Sequence, residues 1–174
     1  MKKNPHFASQ VNTQKLAESI LFAHQKAVTE EDLKMKVEPL IQKAFRKTGI
    51  DTEIVRYEKA TIYGGRMDAV YGYLIIDYKA PGKLKAKKGI SDTEKQLQRY
   101  LTQEADRYGK DKESFLEKLI AVAIDGESII FVRYTRKDKL LVTPITIVIA
   151  GLKFTQNGRD IIYSPKLKKS SNYI

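Results

Sequence analysis

The chain contains no cysteine and no tryptophan, and its only histidines are His6 and His24. The absence of cysteine excludes disulfide bonds and thiolate zinc sites, and it fits a cytoplasmic protein. Two histidines argue against a histidine-based metal site and against a Ser-His-Asp triad. No apolar run approaches the roughly 18–20 residues of a membrane span, and no apolar signal-peptide segment follows the N-terminal residues 1–5. We therefore expect a cytoplasmic protein without a membrane partner.

The charge is strongly one-sided, with 32 Lys and Arg against 21 Asp and Glu and a net charge of +11. Such a surplus favours a polyanionic partner, with nucleic acid as the first candidate and a basic solubility surface as the alternative. Charge sign alone does not separate DNA, RNA and anionic membrane. A length of 174 residues fits one domain, which we place at residues 1–160. Residues 161–174, basic and polar, are interpreted as a tail or linker.

Acidic side chains interrupt an apolar β-hairpin in the middle of the chain. Residues 66–70 and 73–79 are rich in β-branched and aromatic types, and Tyr71-Gly72 is expected to form the two-residue turn. Strand residues two apart, and residues directly opposite each other, point to one face. This turn therefore places Asp68 on the same face as Asp77 and Lys79.

Two carboxylates on one face are suitable ligands for a hard divalent cation, Mg²⁺ with Mn²⁺ as a substitute. The backbone carbonyl of Tyr78 is a candidate additional ligand. Such a cation lowers the pKa of bound water and stabilises charge on a phosphate, and Lys79 beside it could orient the attacking water or stabilise that charge. The alternative is a structural ion pair between Asp77 and Lys79 on a solvated strand face.

Asp68 followed by Asp77-x-Lys79 at the end of an apolar strand resembles the core of the PD-(D/E)xK nuclease superfamily. The longer pattern, from Gly65-Arg66-x-Asp68 through Lys79-x-Pro81-Gly82, resembles the N-terminal nuclease domain of multifunctional restriction–modification enzymes. Met67 stands where the superfamily name has proline, at a position that carries no chemistry. The resemblance implies an α/β restriction-endonuclease-like fold, with a mixed β-sheet flanked by α-helices, and Mg²⁺-dependent hydrolysis of DNA. It also implies methyltransferase, motor or target-recognition domains in the same longer chain or in separate subunits.

Two amphipathic helices precede the hairpin, over residues 12–27 and from Thr29 to about residue 47. Thr29 is the expected N-cap of the second helix, followed by acidic residues in its first turn. Nucleases of this superfamily often take a further acid from an early helix. Glu38, at the edge of the apolar stripe, is our candidate for this catalytic and metal-binding role, with Glu31 as the alternative. Either could also be an ordinary surface glutamate.

The segment after Lys79 is the predicted DNA contact. Pro81-Gly82 ends the strand, and four lysines follow in what reads as a loop: Lys83, Lys85, Lys87 and Lys88. A capping box at Ser91-x-x-Glu94 predicts a helix to about residue 108. Gln96 and Tyr100 lie on one face of it and match a Gln-x-x-x-Tyr motif of some related nucleases, where these residues line the active site or the DNA groove. Arg66 is a candidate phosphate contact or salt-bridge partner. The alternative for the lysines is a solvated loop.

The rest of the chain reads as strands over residues 119–125 and 128–135, followed by an apolar segment over 140–149. Because Pro144 interrupts this last segment, we expect either an edge strand or a broken element. No phosphate-binding Gly-x-x-x-x-Gly-Lys-[Ser/Thr] loop is present. The leading prediction is a nuclease module of a restriction–modification system. The alternatives are a stand-alone repair or junction nuclease, a non-catalytic DNA-binding module and a plain structural domain.

Overall fold

A computed structural model describes residues 11–49, 55–61, 65–138 and 141–150. The described chain forms one mixed six-stranded sheet with helices on both faces, which confirms the predicted α/β class. The strands follow chain order across the sheet, and only the β3–β4 pair is parallel. The strands are β1 (Arg56–Ala60), β2 (Arg66–Tyr71), β3 (Leu74–Tyr78), β4 (Ile120–Ile124), β5 (Ser128–Asp138) and β6 (Leu141–Ala150).

The two N-terminal helices begin close to their predicted starts, and Thr29 is the N-cap of the second, as predicted. Helix α1 (Thr13–Gln25) has Asn12 as N-cap, whose side chain accepts from the Lys15 N–H. Helix α2 (Glu30–Lys47) has a capping box between Thr29 and Asp32 and an acidic first turn. The two helices pack on one face of the sheet, where Leu33, Val37 and Ile41 of α2 are buried.

The hairpin forms as predicted, but its turn is Gly72-Tyr73 and not Tyr71-Gly72. Val70 therefore pairs with Ile75 and Tyr71 with Leu74. Gly72 has a φ of +57°, a conformation that glycine adopts without steric cost, and so it occupies the first turn position. Moving both turn positions by one residue shifts the strand register by two residues. Because side chains alternate with period two, this error leaves the assignment of residues to sheet faces unchanged.

Helix α3 (Lys87–Asp106) crosses between the parallel strands β3 and β4 and begins four residues before the predicted capping box. Ser91 thus lies inside the helix, and Lys87 and Lys88 belong to its first turn and not to a loop. The first turn of the helix packs closely against the preceding loop. Gly89 is buried, and a Cβ atom there would collide with the Lys83 carbonyl oxygen. The helix also ends before Tyr108, which is 39% exposed and does not join the buried stripe.

A 3-10 turn (Gly109–Asp111) and a short helix α4 (Lys112–Leu116) lead into β4. The far edge of the described sheet is β6, which contains Pro144 and confirms the predicted edge position. The predicted domain boundary at residue 160 and the tail at 161–174 lie outside the described residues. No helix in the described ranges is long and apolar enough to cross a membrane.

Candidate metal-binding site

Asp77 and Lys79 lie at the carboxyl end of β3, where the strand is covered on both faces. Both residues are buried, and the Lys79 ammonium lies 2.6 Å from Oδ2 of Asp77. The Lys79 N–H donates to the carbonyl of Ile124, so the parallel β3–β4 pairing extends to this residue. This hydrogen bond fixes the backbone of Lys79, and its side chain folds back along the strand to contact Asp77.

Asp68 is held against the same strand by a backbone hydrogen bond. The Tyr78 N–H donates to Asp68 Oδ2 at 2.6 Å. The side-chain alternation of β2 is interrupted at this residue, because Met67 packs on the α3 side of the sheet whereas Ala69 packs on the α1–α2 side. The opposite residue of β1, Glu58, has a φ of +46° and interrupts that strand in the same way. The paired distortion lets Asp68 hydrogen-bond across to β3.

Lys34 of α2 completes this cluster, and the sequence analysis did not identify it. Its ammonium lies 3.5 Å from Asp68 Oδ1 and 3.9 Å from Glu31, and it forms an ion pair with Glu58. Its position next to Leu33 on the buried stripe is a weak sequence signal for a partly buried charge. Its proximity to β1 and β2 follows only from the packing of α2 on the sheet.

The two aspartates share an unfavourable electrostatic environment. Burial raises the pKa of Asp77 to about 6, although Lys79 opposes the shift, and the Asp68 charge raises it further. Burial also raises the pKa of Asp68, against the Tyr78 N–H and the Lys34 charge, which lower it. Two mutually repelling carboxylates are therefore held near each other at the ends of neighbouring strands. Such an arrangement is typical of sites that bind a cation or transfer a proton.

Lys79 remains a cation in this environment. Burial acts to lower the pKa of Lys79, but the charge and hydrogen bond of Asp77, together with the charge of Glu30, outweigh it, so that the pKa lies above its usual value. Glu30, in the first turn of α2, raises the pKa of Asp77 as well. In the sequence, Glu30 is recognisable only as a favourable charge at a helix N-terminus. The structure adds that Glu30 contributes negative potential to the site.

The structure does not bring Glu38 to the two aspartates. Glu38 is buried at 8% exposure, and not at the edge of the stripe as predicted. Its Oε1 accepts from the Tyr71 hydroxyl and, at 3.1 Å, from the Tyr57 hydroxyl, while Oε2 accepts from the Tyr78 hydroxyl. The predicted position at the edge of the stripe was therefore wrong, because tyrosines of three neighbouring strands converge on this turn of α2. The alternative, Glu31, is exposed and contacts Lys34.

Gln96 and Tyr100 face the sheet beside the site. The Gln96 amide donates to the Tyr100 hydroxyl at 2.6 Å, and that hydroxyl donates to the Arg66 carbonyl at 2.7 Å. Burial raises the pKa of Tyr100, and the Asp77 and Asp68 charges raise it further. Tyr100 thus ties α3 to the start of β2 next to the aspartates. The Arg66 side chain is exposed at the same strand end.

The predicted basic loop is divided between a loop and the first turn of α3, and the side chains of Lys83, Lys85, Lys87 and Lys88 are all exposed. The loop is anchored by the buried Leu84, whose N–H donates to Asp125 Oδ2 at 2.8 Å. Lys85 forms a 2.7 Å ion pair with Glu127. The lysines therefore project from a fixed backbone that starts immediately after Lys79.

The oxygen atoms of Asp68 and Asp77 are of the type that binds hard divalent cations, and the contacts of Asp77 bear on whether it could act as a ligand. Asp77 Oδ2 is buried and has no hydrogen bond of normal geometry, its close contact being the ion pair with Lys79. A carboxylate has about four lone-pair sites, so this single contact leaves Asp77 the capacity to bind a cation. Within the described residues no three Asp, Glu, His or Cys side chains converge in one metal-binding group. Asp68 and Asp77 are thus the side-chain ligands to consider.

No protein-family model, curated protein or solved structure matches this chain.

Proposed function

We propose that the protein is a metal-dependent endodeoxyribonuclease, a catalytic module of the kind found in restriction–modification enzymes. The observation that carries this proposal is the cluster at the end of β3. There the Lys79 ammonium lies 2.6 Å from Asp77, and Asp68 is hydrogen-bonded to the intervening residue Tyr78. The order of these residues on a mixed sheet flanked by helices supports the resemblance to the PD-(D/E)xK superfamily.

Asp68 and Asp77 would hold Mg²⁺ or Mn²⁺. When bound, this ion would activate a water molecule and neutralise charge on the phosphate. The protein's own contribution begins with the fixed strand geometry, because the Tyr78 N–H holds Asp68 against the strand that carries Asp77. The two ligands are thereby preorganised before any cation binds.

The raised pKa of Lys79 restricts its role. A lysine that stays protonated at neutral pH donates hydrogen bonds and positive charge but does not accept the proton of an attacking water. Lys79 therefore stabilises negative charge on the phosphate or orients the water through its N–H groups. Asp77 fixes the lysine by their ion pair.

DNA is the proposed substrate because exposed cations lie along the segment that leads away from the site. Lys83 and Lys85 are in the anchored loop, and Lys87 and Lys88 are in the first turn of α3. Lysines at such positions contact phosphates and carry no sequence information by themselves. We infer that sequence recognition depends on other domains or subunits, such as a methyltransferase, a motor or a target-recognition domain.

The test is to incubate the purified protein with supercoiled plasmid and with unrelated linear DNA, in Mg²⁺, Mn²⁺ or EDTA. Nicking or cutting that requires the metal and yields no fixed fragment pattern supports the proposal. Asp77→Asn should remove this activity, and Lys36→Met, an exposed charge change on α2, should retain it. A discrete fragment pattern would show that this domain reads sequence itself.

The non-catalytic DNA-binding alternative gives a different result. It predicts EDTA-resistant DNA binding, no cleavage with either metal, and no change in metal binding on Asp77→Asn. A nuclease that is silent without its partner domains also fails to cleave but binds Mn²⁺ in a manner that Asp77→Asn abolishes. Calorimetric titration of both proteins with Mn²⁺ separates these cases.

A further inference from the structure

Lys34 is the most enclosed cation on α2, and its neighbours are acidic. Its side chain is 12% exposed and has Glu31, Glu58 and Asp68 around the ammonium. Burial acts to lower the pKa of Lys34, but these acids together raise it above its usual value. Lys34 is therefore a cation held in place inside a negative cluster, and not a solvated helix charge.

The two oxygens of Asp68 have different partners. Oδ2 accepts the Tyr78 N–H at 2.6 Å, so Oδ1 is the oxygen that remains for another ligand. The Lys34 ammonium lies 3.5 Å from that same Oδ1. A divalent cation bound by Oδ1 must therefore share its ligand with the lysine or displace it, and the two positive charges repel each other at short range.

Glu58 determines where Lys34 lies. It has a left-handed backbone conformation, with φ +46°, which is unfavourable for a residue other than glycine and is often found at functional sites. The strand alternation is interrupted at this residue, since Tyr57 bonds to Glu38 of α2 whereas Lys59 pairs with Glu104 of α3. The distortion leaves the Glu58 carboxylate paired with Lys34.

We propose that Lys34, held by Glu58, is an affinity-determining residue: its ammonium competes with a divalent cation for Asp68 Oδ1 and sets the metal affinity of the site. This inference rests on the proposed metal-binding function of Asp68 and Asp77. Its consequence is a site that binds Mg²⁺ or Mn²⁺ more weakly than two buried carboxylates would by themselves. Glu58 has the opposite effect, because it draws Lys34 away from Asp68 and adds a negative charge.

The test is calorimetric titration with MnCl₂ at pH 8, above the pKa of about 6 of Asp77. Lys34→Met should bind Mn²⁺ about tenfold more tightly than the wild type, because removing one charge relieves its repulsion of a divalent ion about 5 Å away in a near-aqueous dielectric. Lys34→Arg keeps the charge and should bind as the wild type does. Glu58→Gln should bind several-fold more weakly.

Lys36→Met is the matched control, since it removes an exposed lysine from the same helix and should leave Mn²⁺ affinity unchanged. Thermal unfolding in EDTA verifies that each variant is folded. Equal or weaker binding by Lys34→Met, with binding still abolished by Asp77→Asn, overturns the role of Lys34 alone. Wild-type binding that Asp77→Asn leaves intact, or no wild-type binding at all, overturns both the metal site and this inference.

Discussion

The backbone N–H of Tyr78 donates a 2.6 Å hydrogen bond to the side chain of Asp68, and this bond crosses from β3 to β2. It links the first carboxylate of the candidate site to the residue that lies between Asp77 and Lys79. The same contact leaves one oxygen of Asp68 for other ligands. It is therefore both a structural bond and a constraint on how the site binds a cation.

Asp68→Ala should destabilise the fold, because it leaves the Tyr78 N–H without its partner. We expect a loss of about 1–3 kcal/mol in the free energy of unfolding, the cost of an unsatisfied buried donor. Asp68→Asn keeps an acceptor oxygen and should lose less. Urea unfolding in EDTA measures both, and equal stability of the two variants would contradict the assigned role of the bond.

Lys79→Met should retain DNA binding and lose most of the cleavage rate, because its ammonium acts on charge that develops during the reaction. Single-turnover rates and binding in Ca²⁺ or EDTA separate the two effects. Lys36→Met, which removes an exposed lysine of α2 outside the proposed DNA contact, is the matched control. If the affinity of Lys79→Met falls in step with its rate, Lys79 is a phosphate anchor instead.

Glu38→Gln should affect stability more than catalysis. The carboxylate accepts from Tyr57, Tyr71 and Tyr78, so replacing one oxygen by an amide places a donor against a hydroxyl. We expect a loss of about 1–3 kcal/mol in unfolding free energy. We also expect a single-turnover rate, per folded molecule, within about threefold of the wild type. If Glu38→Gln loses as much cleavage rate as Asp77→Asn, then Glu38 has a catalytic role after all.

Substituting Lys83, Lys87 and Lys88 by Gln should weaken DNA binding equally for unrelated sequences. The slope of log affinity against log salt should fall by about one unit for each phosphate contact that is lost. Lys15, Lys43 and Lys47, which line a groove between α1 and α2, provide a control triple substitution with the same charge change. If the two triple variants have equal slopes, then Lys83, Lys87 and Lys88 are not the DNA contact.

The pKa of Asp77 predicts how stability depends on pH. The folded-state pKa of about 6 lies above the ordinary aspartate value of 3.8, so the folded protein binds this proton more tightly than the unfolded chain. Protonated Asp77 therefore adds to the free energy of unfolding. This contribution is complete below about pH 4 and is lost as the pH rises through 6. It amounts to at most about 3 kcal/mol, from the difference between the folded and unfolded pKa values of Asp77.

The measurement is urea unfolding of the wild type and of Asp77→Asn from pH 4 to pH 7 in EDTA. The wild type should lose stability relative to the variant across this range. Comparing the change with pH, and not the absolute values, removes the separate effect of leaving Lys79 without its partner. If the unfolding free energies of the two proteins change with pH in parallel, the pKa of Asp77 is not raised in the folded state.

Local patterns in the sequence determined the elements and several of their ends. Asn12 and Thr29 cap their helices because a side-chain oxygen satisfies an N–H group that the helix leaves unpaired. The hairpin was predicted with its turn one residue early, an error that by itself leaves the sheet faces unchanged because side chains alternate with period two. The interruption of this alternation at Asp68 was not predicted. Pro144 was placed on an edge strand because it lacks a donor for the sheet. These features depend on neighbours along the chain.

Tertiary packing decided the rest. Glu38 is buried because tyrosines from β1, β2 and β3 meet it on one turn of α2, and no helical period contains that information. Helix α3 begins four residues before the predicted capping box, and its first turn packs tightly against the loop at Lys83. The contact of Lys34 with Asp68 requires both the distortion at Glu58 and the approach of α2 to the sheet. The sequence determined which residues share a face within an element, whereas only the fold determined which charges meet between elements.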